Sequence, residues 1–237
     1  MKRSVSAFVA AALVIGVLPF AAMAQTPYSQ DFESLPMVDG SLAGDGWLVY
    51  GNIFDPAWNY LWGHGPWPAP NNQTPGNWQD ITTGQGGVPQ GDQQLVQYSD
   101  YGNVEHAAGN WVESLLFQEQ PIPVGATDTW CFQFDAKRGD LAGDSRAFAF
   151  IKTIDPNSGW AQTSLTDIFL TTIPDTWGTY SLTIDVSAFG GQLVQFGFAT
   201  QATNYEPCGM VYDNVFFYEC SSPVEDATWG SIKALYR

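Results

Sequence analysis

Aromatic side chains are concentrated in one turn-rich stretch of the sequence and could bind a sugar. The rings that occur there, with few aliphatic residues to bury them, are Trp58, Tyr60, Trp62, Trp67 and Trp78. A flat apolar ring stacks on the C–H face of a pyranose, while amides and carboxylates bond its hydroxyls. Asn71 supplies one such amide. The stretch predicts a ligand-binding site, although any single large ring is more often buried over a sheet edge.

Asp213 is a candidate metal ligand because its neighbours are apolar. In the alternating run from Met210 to Glu219 it shares a face with Val211, Val215 and Phe217. An ionised carboxylate on such a face is costly unless it is paired or bound to a metal. We therefore expect Asp213 either to bind a cation or to cap a turn through backbone N–H groups.

Sequence patterns that mark catalysis are missing. The chain has no Gly-x-Ser-x-Gly, His-Glu-x-x-His or phosphate-binding loop. A glycosidase needs two carboxylates beside the scissile bond, and the Glu-x-Asp-x-x-Glu strand of glucanases does not occur. His64 and His106 have no metal-ligand spacing. We therefore expect a protein that is not an enzyme.

The elements that must position these residues are short β-strands. Alternation is clearest from Thr129 to Lys137, where Trp130, Phe132 and Phe134 face one way. Further strands are predicted at residues 29–33, 94–98, 146–153, 178–186, 192–200 and 210–219. Period-two alternation between turn-forming residues predicts an all-β protein, a two-sheet antiparallel β-sandwich over residues 25–220.

Two regions depart from this alternation. Residues 52–91 are rich in Pro, Gly and Asn and are predicted to form a long aromatic loop, which in a compact domain is usually functional or disordered. Residues 221–237 form a linker and a tail, where apolar side chains at helical spacing predict a short amphipathic helix. The tail either docks on the sandwich or serves self-association or sorting machinery.

The N-terminus and the charge limit the location and the partners. Residues 1–24 have the basic start, the apolar run and the small-residue cleavage site of a secretory signal peptide. The run is shorter than the roughly 20 residues that span a bilayer, so we expect export to the periplasm, the cell surface or the medium, and no membrane span. The formal charge of −16 excludes the basic face that nucleic-acid binding needs. A neutral ligand or a cation is more compatible with this negative charge than a nucleic acid is.

Four segments resemble the galactose-binding-like jelly rolls, a group that includes many carbohydrate-binding modules. They are Asp31–Glu33, Trp130–Lys137, Asp175–Tyr180 and Val211–Val215, in the group's order. The resemblance implies a jelly-roll sandwich, and a shared fold does not fix a ligand. A narrower resemblance, to a family of exported bacterial proteins with no assigned activity, includes residues 63–71 and 134–139.

The jelly-roll resemblance also implies a structural Ca²⁺ ion. In the resembling modules an aspartate at the position of Asp213 and a glutamate at that of Glu33 help to hold it. Calcium takes about six to eight oxygen ligands. Backbone carbonyls and a second carboxylate, Asp31 or Asp39, would therefore have to complete the site.

The chain has three cysteines, and an exported protein is expected to form a disulfide. The resemblance implies that the strands carrying Cys131 and Cys220 pair antiparallel, which would place these two sulfurs side by side. We therefore expect a Cys131–Cys220 disulfide with Cys208 outside it. A Cys208–Cys220 pair, which would close the last hairpin, is the alternative.

These features lead to one functional hypothesis and two alternatives. The hypothesis is a non-catalytic exported binding module that recognises carbohydrate, a polysaccharide or another glycan, through the aromatic loop and one sheet face. The first alternative is a structural or adhesive cell-surface protein that self-associates. The second is a polysaccharide lyase or hydrolase on a jelly-roll fold.

Overall fold

The computed structural model describes residues 25–71, 79–99, 108–202 and 208–220. The predicted signal peptide, the predicted helical tail and Trp78 lie outside these residues, so their structures stay predictions. Within the described ranges, no helix has both the length and the apolar character needed to cross a membrane.

Two six-stranded sheets, in which every strand pair is antiparallel, form a sandwich. The first sheet contains β1 (Tyr28–Gln30), β4 (Gln79–Thr83), β5 (Gln93–Gln97), β7 (Thr129–Arg138), β10 (Gly178–Asp185) and β12 (Met210–Glu219). The second contains β2 (Leu48–Phe54), β3 (Tyr60–Pro68), β6 (Trp111–Pro121), β8 (Arg146–Asp155), β9 (Ala161–Phe169) and β11 (Leu193–Ala202). Helical turns in the described part of the chain are α1 (Ser41–Gly44) and two 3-10 segments, Val88–Gln90 and Pro156–Ser158.

Sheet order follows the jelly-roll expectation. The first sheet runs β10-β7-β12-β5-β4, with β1 also paired to β12, and the second runs β3-β2-β6-β11-β8-β9. The predicted two-sheet sandwich is therefore confirmed.

The core lies between the sheets and is built from stacked aromatic rings. Phe196 and Phe198 on β11 stack on Phe217 and Tyr212 on β12, with ring centroids 4.0 and 3.7 Å apart. These contacts join the two sheets at their centres. Trp47, which is fully buried, stacks on Phe198 and closes one side of the core. The inward positions of the predicted alternating strands are thus the ones that hold the sandwich together.

The stretch from residue 52 to residue 91 is not the single long loop that we expected. It contains the end of β2, all of β3 and β4, and a 3-10 turn, and β2 and β3 form a hairpin at the edge of the second sheet. Most β3 side chains are exposed, so burial imposes no alternation on this strand. Pro66 and Pro68 are tolerated because an edge strand has one row of N–H groups without a ladder partner.

The predicted disulfide between Cys131 and Cys220 is present. It joins β7 to the residue that follows β12, and these strands are hydrogen-bonded neighbours. Cys208 is buried and lies outside the disulfide, where its sulfur accepts a hydrogen bond from the Ser99 N–H at 3.1 Å. The alternative Cys208–Cys220 pairing is therefore wrong.

Candidate functional site

The outer face of the second sheet carries an apolar cluster of its own. Leu115, Phe117, Phe150 and Ala199 are buried there, although neither sheet of the described residues lies over them. An antiparallel sheet that faced only water would carry polar side chains at these positions. Leu115 and Phe150 of this cluster form the floor of a groove of 470 Å³.

Both apolar and polar side chains line this groove. The apolar ones are Trp58, Leu115, Phe148, Phe150, Leu165 and Phe169. The polar ones are Asn52, Glu113, Arg146, Lys152, Gln162, Asp167 and Gln201. Such a mixture, with rings that offer flat faces and polar groups that offer donors and acceptors, suits a ligand with both apolar faces and hydroxyls.

Cross-strand register sets the order of these side chains along the groove. One end is a polar row across four strands, formed by Asn52, Glu113, Gln201 and Arg146. The middle rows include Tyr50, Leu115, Phe148, Phe169, Phe117 and Phe150. The other end is the row Glu119, Gln195, Lys152 and Leu165. The sheet thus presents rings between two polar rows.

Amide groups hold the carboxylates of both polar rows in place. The Asn52 and Gln201 amides donate to the two oxygens of Glu113 at 2.6 and 2.7 Å. The Gln195 amide donates to Glu119 at 2.6 Å. A carboxylate has about four acceptor sites, so Glu113 keeps acceptor capacity for a bound hydroxyl.

Lys152 extends over the apolar floor. Its Nζ lies 5.0 Å from the ring centroid of Phe150 and 5.7 Å from that of Phe117, within the range of a cation–π contact. Burial lowers the pKa of the Lys152 ammonium, and the charges of Glu113 and Glu119 offset part of this effect. Lys152 is therefore a desolvated donor within the groove.

Trp58 forms a wall of the groove at the Arg146 end. Its ring stacks on Trp111 with centroids 4.3 Å apart, and the Arg146 guanidinium lies 5.2 Å from both centroids. The turn beneath Trp58 is held by Asp55, whose carboxylate accepts the N–H groups of Ala57 and Asn59 at 2.8 and 2.9 Å. The ring is thus oriented from below by a rigid turn and from the side by Trp111.

The structure divides the aromatic residues predicted as ligand contacts between two faces. Trp58 lines the groove, and Tyr60 is on the same face, where its hydroxyl hydrogen-bonds that of Tyr50. Trp62 and Trp67 pair across the ladder with Ile53 and Val49, which face the interior. Directly paired residues point to one side of a sheet, so Trp62 and Trp67 are exposed on the face opposite to the groove.

Asn71 has a position unlike the other predicted contacts. It is 3% exposed, and its amide donates to the Val38 carbonyl and the Ser41 hydroxyl and accepts the Ile81 N–H. These bonds tie the segment after β3 to α1 and β4. Trp78, also a predicted contact, lies outside the described residues.

Sequence reasoning missed most of the groove, including Phe148, Phe150 and Phe169. The signal was present in β8, where Ala147, Ala149 and Ile151 alternate with the two phenylalanines. A strand that is apolar on both faces is either covered on both or presents one face to a ligand.

The predicted calcium ligands lie at the end of the core rather than in the groove. Asp213 is fully buried; its Oδ1 accepts the Asn214 N–H at 2.6 Å, and its Oδ2 has no hydrogen-bond partner within the described residues. Burial raises the pKa of Asp213 to about 9, with further increases from the charges of Asp135, Asp31 and Glu33. The buried Oδ2 without a partner is the feature here that favours a cation.

The predicted calcium ligands do not form a metal-binding cluster in the described residues. Among the described residues, no three His, Cys, Asp or Glu side chains are arranged to hold a metal ion. The Glu33 carboxylate instead accepts the N–H groups of Asp92 and Gln93, both at 2.8 Å. Asp135 accepts from Gln90, Asn214 and Thr179. Both N–H groups at Glu33 bond its Oε1, so binding of calcium by Asp213 and Glu33 would use Glu33 Oε2 or require Oε1 to be shared.

Comparison with known proteins gives distant likenesses only. No family model and no curated protein matches the sequence. The enzymatically active domain of tailspike protein 4 of bacteriophage CBA120 superposes with a TM-score of 0.43 and 14% identity, over 73% of this chain and 19% of that one. A structure from a study of carbohydrate-binding modules of the β-sandwich superfamily superposes with a TM-score of 0.42 and 14% identity. The superposition covers 73% of this chain and 57% of that one.

A third structure, TmCBM61 in complex with β-1,4-galactotriose, gives a TM-score of 0.36 and 11% identity, over 60% of this chain and 81% of that one. The chain thus spans about a fifth of the tailspike domain and just over half of the second structure. At these identities and TM-scores the ligand has to be inferred from the chain's own groove.

Proposed function

We propose that this protein is a non-catalytic, exported binding protein that holds a glycan chain in the groove on the second sheet. The observation that carries the proposal is the band of apolar side chains, which include half-buried Phe148 and exposed Phe169, between two rows of amides, carboxylates and cations. Sugars have apolar C–H faces and hydroxyls, and the groove has apolar rings between polar rows. The rings stack on the C–H faces, and the polar rows hydrogen-bond the hydroxyls.

Other ligand classes fit the groove less well. A purely apolar ligand would leave Glu113 and Lys152 desolvated without partners, which costs free energy. A nucleic acid would meet a chain with a formal charge of −16. A glycan offers both donors and acceptors to the amide and carboxylate groups and needs no net charge.

The position of Glu113 favours binding over hydrolysis. A hydrolase is the alternative function, because glycoside hydrolysis uses two carboxylates and both Glu113 and Asp167 line the groove. Both Glu113 oxygens, however, already accept amide hydrogen bonds from Asn52 and Gln201, which hold the carboxylate within the polar row. Release of reducing ends from any retained polysaccharide would support the hydrolase instead.

Affinity electrophoresis through a panel of soluble polysaccharides tests the proposal. We expect one or more glycans to retard the mature protein, and Phe169→Ala in the groove to remove most of this retardation. Trp67→Ala is the matched control, since Trp67 is about as exposed as Phe169 but lies on the opposite face. Free migration of the wild-type protein in every gel, or an equal loss in both variants, would overturn the proposed site.

Export and calcium belong to the same proposal. The Cys131–Cys220 disulfide is compatible with an oxidising compartment outside the cytoplasm, as the predicted signal peptide requires. The ion, if bound by Asp213 and Glu33, would stabilise the end of the core and would take no part in glycan contact, because neither residue lines the groove. Self-association or sorting through residues 221–237 stays a prediction, since they lie outside the described residues.

A further inference from the structure

Two hairpin turns of the second sheet share an arrangement that presents a tryptophan. Each begins with Asp-Pro, at Asp55-Pro56 between β2 and β3 and at Asp155-Pro156 between β8 and β9. The backbone carbonyl of each aspartate accepts the N–H of the tryptophan, from Trp58 at 2.9 Å and from Trp160 at 3.0 Å.

The aspartate side chains hold both turns in the same manner. Asp55 accepts two backbone N–H groups, and Asp155 accepts the Asn157 N–H at 2.8 Å and the Ser158 hydroxyl at 2.6 Å. These bonds lower the pKa of both carboxyls, to which the Asn59 and Ser158 side chains contribute most. Both turns are therefore rigid at neutral pH.

Both tryptophans have left-handed backbone conformations, with φ of +66° for Trp58 and +64° for Trp160. A bulky residue rarely adopts this region, which suits glycine or asparagine. Trp160 is 65% exposed, and within the described part of the chain its ring has no aromatic partner and its indole N–H makes no hydrogen bond. Most of this large ring therefore faces solvent.

The two turns lie at opposite ends of the groove. Trp58 packs on Arg146, the first residue of β8, while Asp155, the last residue of β8, opens the Trp160 turn. Ten residues of strand separate the ends by about 30 Å at about 3.3 Å per residue. Trp160 is two residues from Gln162, which lines the groove.

We propose that Trp160 is a second stacking platform, so that the protein binds a long glycan chain running along β8 from the Trp58 turn to the Trp160 turn. This inference rests on the proposed function of the groove and adds the length of the ligand to it. A short oligosaccharide fills only the groove, whereas a longer chain also reaches Trp160.

Calorimetric titration with a length series cut from a retarding polysaccharide tests this inference. We expect the affinity of the wild-type protein to rise with chain length and to level off once the chain spans both turns. Trp160→Gly keeps the left-handed turn and removes the ring. It should bind short chains like the wild type and lose about three- to tenfold in affinity for long ones, the range of one aromatic contact.

Control variants separate the failure of the inference from that of the proposed function. Trp160→Phe should restore most of the affinity for long chains. Trp58→Ala should weaken the binding of chains of every length, and Trp67→Ala should leave the affinity unchanged at every length. A wild-type protein that binds no glycan overturns the groove proposal as well. Equal binding of long chains by Trp160→Gly and wild type overturns only the role of Trp160, and so does a marked loss of thermal stability in Trp160→Gly.

Discussion

Lys152 is a charged side chain held where burial opposes its charge. Its ammonium lies over Phe117 and Phe150, where burial opposes the charged form and lowers its pKa. When the pKa of a base is lower in the folded state than in the unfolded state, its protonation destabilises the folded state. The folded protein is therefore penalised at every pH below the pKa of the unfolded chain, neutral pH included. A residue that costs stability in an open groove is typical of a ligand contact.

Replacing Lys152 with methionine should therefore separate stability from binding. Lys152→Met keeps the apolar stem over both rings and removes the desolvated charge. We expect a gain of about 1 kcal/mol, or about 2–4 °C in Tm, and a glycan affinity about tenfold lower because a charged donor is lost. Thermal unfolding and affinity electrophoresis measure the two effects.

Lys137→Met is the matched control for this change. Lys137 also lies over an aromatic ring, 5.4 Å from the Trp177 centroid, and burial lowers its pKa too, but it belongs to β7 on the first sheet. Its replacement should leave glycan retardation unchanged. A loss of stability in Lys152→Met with unchanged retardation would mean that Lys152 is a structural residue.

At the scale of elements, the strands with the most regular alternation, β7 and β10, were predictable from it. Strands β7, β8, β10, β11 and β12 lie within two residues of the bounds read from alternation. The strands that were missed, β2, β3, β4, β6 and β9, belong mainly to the second sheet. In β2 and β6 the outward positions include Leu48, Tyr50, Leu115 and Phe117, so both faces are apolar and the period of two disappears.

The same loss of alternation explains why the site was only partly predictable. Trp58 and Tyr60 were found because aromatic rings in a Pro- and Gly-rich stretch are conspicuous. The floor of the groove needs the register of β6, β8, β9 and β11, which brings together side chains far apart in sequence. Sequence composition also cannot tell that Trp62 and Trp67 lie on the face opposite to Trp58.

The disulfide should stabilise the pairing of β7 with β12 without affecting the groove. Cys131 and Cys220 are 89 residues apart, so the bond removes much entropy from the unfolded chain. We expect the double variant Cys131→Ser, Cys220→Ser to lose about 2–4 kcal/mol of unfolding free energy in urea. Glycan retardation should stay as in wild type, because the bond lies in the first sheet. A loss of retardation in a variant that still folds would mean that the two sheets are coupled.

For the whole molecule, a large electrostatic cost lies where the first and last strands of the sandwich meet. Asp213 on β12 approaches Asp31 and Glu33, which follow β1, and its pKa of about 9 means that the calcium-free folded protein keeps a proton there at neutral pH. The unfolded chain loses that proton near its ordinary value of 3.8. Unfolding thus releases a proton throughout this interval, and stability falls as the pH rises from about 4 to about 9.

Unfolding measured against pH, with a chelator and with calcium, tests both the buried proton and the proposed ion. With the chelator, Asp213 should contribute a fall of at most about 1.4 kcal/mol per pH unit across the interval. Asp213→Asn, which stays neutral, should lose this contribution. Asp144→Asn is the control, because Asp144 is exposed, and it should keep the contribution of Asp213.

Calcium should raise the Tm of wild type most above neutral pH, because it binds the ionised carboxylate, and should not stabilise Asp213→Asn. If calcium stabilises both proteins equally, its site is elsewhere. If the two pH profiles run parallel with the chelator present, Asp213 is ionised in the folded protein and a partner for its buried Oδ2 has to be sought.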